Sequence, residues 1–124
     1  MNNWERMKAG RLYNAGSKDL EKYHSFGMET CDKFNRTPLW MKKRKQRLLE
    51  KLIPSAKDGG AAIFAPFYCE YGVNIHFGKG CFVNYKCTFL DCAPITLEDG
   101  VWVGANVTIA TPCHPFLSDE RLPQ

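Results

Sequence analysis

The chain has 124 residues, a net charge of +4, and 44% apolar and 24% charged residues, a balance that suits one globular domain with a small appendage. No run approaches the ~18 consecutive apolar residues of a membrane span, and no charged-then-apolar amino terminus marks a secretory signal, so the expected compartment is the cytoplasm. So small and mixed a charge argues against nucleic acid or a membrane as partner.

Residues 1–58 are expected to form an amino-terminal helical cap. Trp4, Met7, Leu12 and Tyr13 are spaced for the apolar face of a short first helix, which Gly10 weakens, and residues 14–17 read as a turn. A second helix is expected from about residue 17 to residue 34, with Leu20, Tyr23, Met28 and Cys31 on its face and Gly27 weakening its middle. Thr37 as cap and Pro38 at the first helical position start a third helix, which ends near Pro54 and turns Leu48, Leu49, Leu52 and Ile53 inward. The basic residues 42–47 on that helix fit a solvated face, since no aromatic residue interleaves them. Residues 55–64 then form a connector that turns at Asp58, Gly59 and Gly60.

From Ala65 the chain counts in sixes: APFYCE, YGVNIH, FGKGCF, VNYKCT, FLDCAP, two extra residues (Ile95 and Thr96), then LEDGVW, VGANVT and IATPCH. The first column (Ala65, Tyr71, Phe77, Val83, Phe89, Leu97, Val103, Ile109) is apolar throughout. The fifth (Cys69, Ile75, Cys81, Cys87, Ala93, Val101, Val107, Cys113) is mostly small. A six-residue unit buries nothing alone, so three units bend into a triangular coil and successive coils stack at about 4.8 Å. The pattern specifies a mainly β protein with a parallel β-helix over residues 59–124. Six cysteines without a CxxC pair do not make a zinc or disulfide framework. Cys69, Cys81, Cys87 and Cys113 share the inward column, where a free thiol packs as a compact hydrophobe. Cys31 and Cys92 fall outside it.

The segments MKAGRLYNA, FNRTP, YGVNIHFGKGCFVNYKC, LDCAPITLEDGVWVGANV and CHPF resemble the maltose and galactoside O-acetyltransferases, a family of hexapeptide-repeat acetyltransferases. The resemblance implies a left-handed parallel β-helix, a homotrimer, and transfer of an acetyl group from acetyl-CoA, as co-substrate, to a sugar hydroxyl without a metal. It also assigns residues. A hydroxyl is a poor nucleophile at neutral pH and needs a base; His114, where the repeat breaks into a loop, matches the family's catalytic histidine. Asn84 matches the asparagine that stabilises the tetrahedral intermediate. For the acceptor the resemblance points to Glu70, with Asp91 a second candidate from LDCAP; a solvated corner carboxylate is an equal alternative for both. Cys92 and the Asn14-Ala15 pair replace acidic positions of the galactoside type, which leaves the acceptor open.

The family's later coils, which carry much of the coenzyme site, lie beyond Gln124. The chain therefore reads as carboxy-terminally truncated, ending inside the catalytic loop, with little expected activity alone and an uncovered last coil. The alternatives to sugar O-acetylation are a non-catalytic remnant serving assembly or binding, and transfer to a non-sugar hydroxyl such as that of an antibiotic.

Overall fold

A computed structural model of the chain describes residues 1–121. Three helices lead: α1 (Asn3–Lys8), α2 (Lys18–Arg36) and α3 (Lys42–Leu52), followed by a 3-10 turn at Pro54–Ala56. Eight short strands follow: β1 (Ala61–Ile63), β2 (Phe67–Cys69), β3 (Ile75–Phe77), β4 (Cys81–Val83), β5 (Cys87–Leu90), β6 (Ile95–Leu97), β7 (Trp102–Val103) and β8 (Thr108–Ala110). A one-turn helix, α4 (Ser118–Arg121), comes last among the described residues. The expected loop end at residues 122–124 lies outside them.

The strands form three parallel faces, β1-β4-β7, β2-β5-β8 and β3-β6. Ala61 pairs with Cys81, Phe67 with Cys87 and Ile75 with Ile95, so each coil takes twenty residues where three sixes would take eighteen. The two additional residues sit in the corner between β2 and β3 and again between β5 and β6. This corrects the hexapeptide count in two ways. Ile95 and Thr96 are strand residues, with Ile95 pointing inward at 6% exposure, and the lower coil carries its own insertion. The inward columns therefore shift by two below Ile75. Cys69 stacks under Phe89 and Ile109, Phe67 stacks under Cys87, and Tyr71 leaves the prism. β1 lies inside residues 59–124 but precedes Ala65, where the six-residue count begins, in a stretch read as a connecting turn.

The prism core is Ile63, Phe67, Ile75, Val83, Cys87, Phe89 and Leu97 with their neighbours, continuous with Phe34, Leu49, Leu52 and Ile53 of the cap. Burying each of these large side chains contributes about 1.5–3 kcal/mol. The cap also closes the lower strand edge, which would otherwise present unpaired amides and carbonyls. The Asn35 carboxamide reads both backbone groups of Phe67, accepting from its N–H and donating to its carbonyl at 2.8 Å each. Ser55 Oγ accepts from the Phe77 N–H at 2.8 Å.

The helices depart from expectation at their ends. α1 stops at Lys8, because Gly10 adopts a positive φ of 76° and turns the chain, so Leu12 and Tyr13 leave its face. Thr37 does not start α3. It ends α2, its hydroxyl donating to the Lys33 carbonyl at 2.6 Å, and Pro38 begins a turn closed by the Met41 N–H on the Pro38 carbonyl. The Lys45 ammonium then donates to the Phe34 and Thr37 carbonyls at 2.7 and 3.0 Å, a cation on the negative end of α2. On α2, Leu20 and Cys31 are buried as expected, while Met28 is 51% exposed and Gly27, Thr30 and Phe34 face inward.

Gly27 has a positional reason. A Cβ there would lie 2.7–2.9 Å from backbone atoms of Glu70 and Tyr71, so α2 meets the wide β2–β3 corner backbone to backbone. On an open helix face Gly27→Ala would add about 1 kcal/mol of stability. Here we expect it to cost about 1–3 kcal/mol through overpacking, read as a lower urea midpoint; a raised midpoint would contradict this packing.

Candidate functional site

The wide corner repeats through the coils: residues 70–74, then 91–94, then the segment that follows β8. Glu70, Asp91 and His114 stand at these three levels. His114 is exposed, on a segment anchored by the Thr111 hydroxyl, which accepts from the Ala93 N–H and donates to the Leu90 carbonyl, both at 2.8 Å. The ring faces a cavity of about 420 Å³ between this segment and the loop after α1, lined by Arg11, Tyr13, Cys113, Pro115, Phe116 and Glu120 among others.

Asp91 is turned into the corner and not toward the cavity beside His114. It is fully buried, and its carboxylate accepts the N–H groups of Glu70 (3.1 Å), Tyr71 (2.8 Å) and Asn74 (3.2 Å), while the Asn74 side chain donates to the Asp91 carbonyl at 2.8 Å. Burial pushes its pKa up and these amides pull it back. It closes the enlarged corner from inside. Glu70 points outward and keeps partial exposure. Its Oε2 meets His24 Nε2 at 2.6 Å, joining α2 to the corner, and the His24 ring packs edge-on against Tyr71.

His24, partly exposed on α2, is the partner of Glu70; 46 residues separate the pair, so no local pattern marks it. Tyr13, placed on a helix face, lines the cavity beside Cys92. Burial first, then the neighbouring thiol, pushes its phenol up to about 12, so it stays a neutral hydroxyl able to donate. Cys69, Cys81 and Cys87 are buried as expected and unpaired, but Cys113 is exposed, because the chain leaves the coil after β8 before a third strand of that level forms. Cys31 and Cys92, outside the column, are buried too. His76 projects outward from β3 and is exposed.

Asn84 is elsewhere. It lies in the corner between β4 and β5, half-buried, with its Oδ1 accepting the Tyr85 N–H at 2.8 Å and its own N–H on the Val103 carbonyl at 2.9 Å. Fixing the oxygen leaves the Nδ2 hydrogens turned away, without a partner among the described residues. The four residues of β5 span the face between that corner and the corner of His114, about 13 Å at ~3.3 Å per residue. Within one chain the two groups do not meet.

Comparison with known proteins agrees with this architecture. Residues 6–57 match the maltose acetyltransferase hexapeptide capping motif. Nodulation protein L of Rhizobium leguminosarum bv. viciae is 36% identical over 118 residues, covering 94% of this chain and 61% of the relative. The crystal structure of a maltose O-acetyltransferase from Clostridium difficile 630 superposes with a TM-score of 0.91 at 32% identity, covering 98% of this chain and 64% of that one. A hexapeptide-repeat acetyltransferase of Vibrio cholerae O1 biovar eltor, solved with acetyl-CoA, superposes with a TM-score of 0.77 at 25% identity, covering 98% and 65%. The coil is thus the left-handed parallel β-helix of these proteins, and the chain spans about three fifths of the length of the relatives it matches.

The roles of Asp91 separate by measurement. Asp91→Ala strands three buried amides at about 1–3 kcal/mol each, so we expect a loss of at least about 3 kcal/mol in unfolding free energy. A stable variant whose only defect is acceptor affinity would show that the carboxylate serves the ligand.

Proposed function

We propose, from its homology to the maltose and galactoside O-acetyltransferases, that this chain moves an acetyl group from acetyl-CoA to a hydroxyl of a sugar or sugar-like acceptor, with His114 as base and Asn84 as oxyanion donor. The observation that carries the proposal is the position of His114: exposed, on a loop pinned by Thr111, at the rim of a cavity whose other wall is the cap.

The imidazole removes the proton of the acceptor hydroxyl as its oxygen adds to the thioester carbonyl. The carbonyl electrons move to oxygen, and the Nδ2 of Asn84, oriented by the Tyr85 amide, donates to that oxyanion. Collapse restores the carbonyl and expels the coenzyme thiolate, which takes the proton back from the imidazolium. Glu70 and His24 supply the polar contacts for an acceptor on the cap side, and the neutral Tyr13 phenol supplies a donor.

Because His114 and Asn84 stand at different corners, both can act in one reaction only if a second copy brings its Asn84 to this His114. This supports a homotrimer with its sites between subunits. Acetyl-CoA binds a V. cholerae neighbour of this fold, and the proposal carries it here as co-substrate. The cytoplasm is the proposed compartment; no described helix is long and apolar enough to cross a membrane.

In a form extended by the later coils of the family, His114→Ala should lower the rate of acetyl transfer by about 10²–10⁴-fold, the span of a positioned general base, with coenzyme affinity little changed. Acetyl-CoA consumption against a panel of sugars reads both quantities. Full turnover in a correctly folded variant would remove His114 from the mechanism.

A further inference from the structure

The charge of this chain is segregated. Between Asp32 and Glu50 lie seven Lys and Arg and no carboxylate, whereas the rest of the chain holds ten cations against 13 carboxylates. Lys45 is consumed by the end of α2, and Arg36 pairs with Asp32. Lys42, Lys43, Arg44 and Arg47 are exposed, and together with Trp40 they border one shallow surface depression. Residues 43, 44 and 47 follow helical spacing on α3 and form one stripe, with Trp40 bordering the same depression, while Leu49 and Leu52 on the opposite side of α3 are buried. The stripe therefore points away from the body of the protein.

At its tip the turn after α2 holds two large apolar side chains out in water. Leu39 and Trp40 are each 79% exposed, on a turn closed by the Met41 N–H bonded to the Pro38 carbonyl at 3.0 Å. Helix stability does not account for the cations, since the positive end of a helix favours carboxylates and the first turn of α3 has none. Nor does the fold account for Leu39 and Trp40, which are largely solvent-facing.

We propose that this surface docks the protein on a lipid bilayer containing anionic headgroups. The chemistry selects that partner. Leu39 has no hydrogen-bonding or stacking group to offer a base or phosphate, yet gains from entering an apolar layer. Trp40 beside it suits the boundary between that layer and water, and the cationic stripe lies next to the tip, where lipid phosphates and carboxylates would be. Nucleic acid would be served by the cations and by Trp40, but not by Leu39. The expectation that no membrane is involved rested on net charge, which hides this segregation, and on the lack of aromatic residues within residues 42–47, just outside which Trp40 stands.

The test is co-sedimentation of the chain with vesicles of phosphatidylcholine alone and of phosphatidylcholine with about one third phosphatidylserine. We expect binding to the anionic vesicles only, weakened when salt shortens the Debye length from about 10 Å to about 3 Å, with a blue shift of tryptophan emission. Lys43→Glu, Arg44→Glu and Arg47→Glu together should weaken it by at least about tenfold, and Leu39→Ala with Trp40→Ala by about fivefold. All five positions face solvent, so the fold is retained. Failure to bind anionic vesicles, binding insensitive to these substitutions, or preferential binding of a short RNA or DNA duplex through the same residues would each overturn the proposal.

Discussion

The carboxylate of Asp91 holds together the part of the molecule on which the rest is arranged. Adding two residues to one corner of each coil frees backbone amides that no strand can pair, and amides left so in a buried place would cost several kcal/mol. Asp91 takes three of them from the coil below and returns its own carbonyl to Asn74. The corner can then project from the prism without unpaired groups. Its projection receives α2 at Gly27, turns Tyr71 out to meet Trp4, and places Glu70 within reach of His24.

The cap has two physical duties. It seals the lower edge of the coil with side chains that imitate a neighbouring strand, Asn35 on Phe67 and Ser55 on Phe77. It also supplies the second wall of the cleft, through the loop after α1 that carries Tyr13. One set of helices thus protects the coil from edge pairing and gives the candidate base a pocket to work in. The cavity needs both parts, since neither the coil nor the cap alone encloses it.

Much of this could be read in the sequence because a solenoid repeats its own evidence. From Phe77 upward the alternation of large and small inward residues was correct at Cys81, Val83, Cys87, Phe89 and Leu97. Below it the count slipped, since an insertion that recurs in every coil shifts the columns without breaking their apolar character. For that reason Cys69 was given the wrong inward column and Tyr71 an inward place, and the burial of Asp91, read as either an acceptor contact or a solvated corner carboxylate, went unseen because a carboxylate bonded only to amides leaves no mark in composition. Gly27 and Thr37 looked like a weakness and a start, and are a close approach and an end. The His24 and Glu70 pair depends on contacts across 46 residues, which local pattern does not encode.

His114 and Asn84 lie apart by the width of a face, so the proposed reaction calls for a site shared between copies of the chain. Mixing inactive His114→Ala and Asn84→Ala proteins, dissociated and reassembled together, measures this directly. A site that takes its histidine from one subunit and its asparagine from the next is intact in about a quarter of the mixed positions, so acetyl transfer should return to about that fraction of the unmodified rate. If the mixture, shown to contain both variants in one oligomer, stays as inactive as its parents, the two groups act within a single chain or not at all.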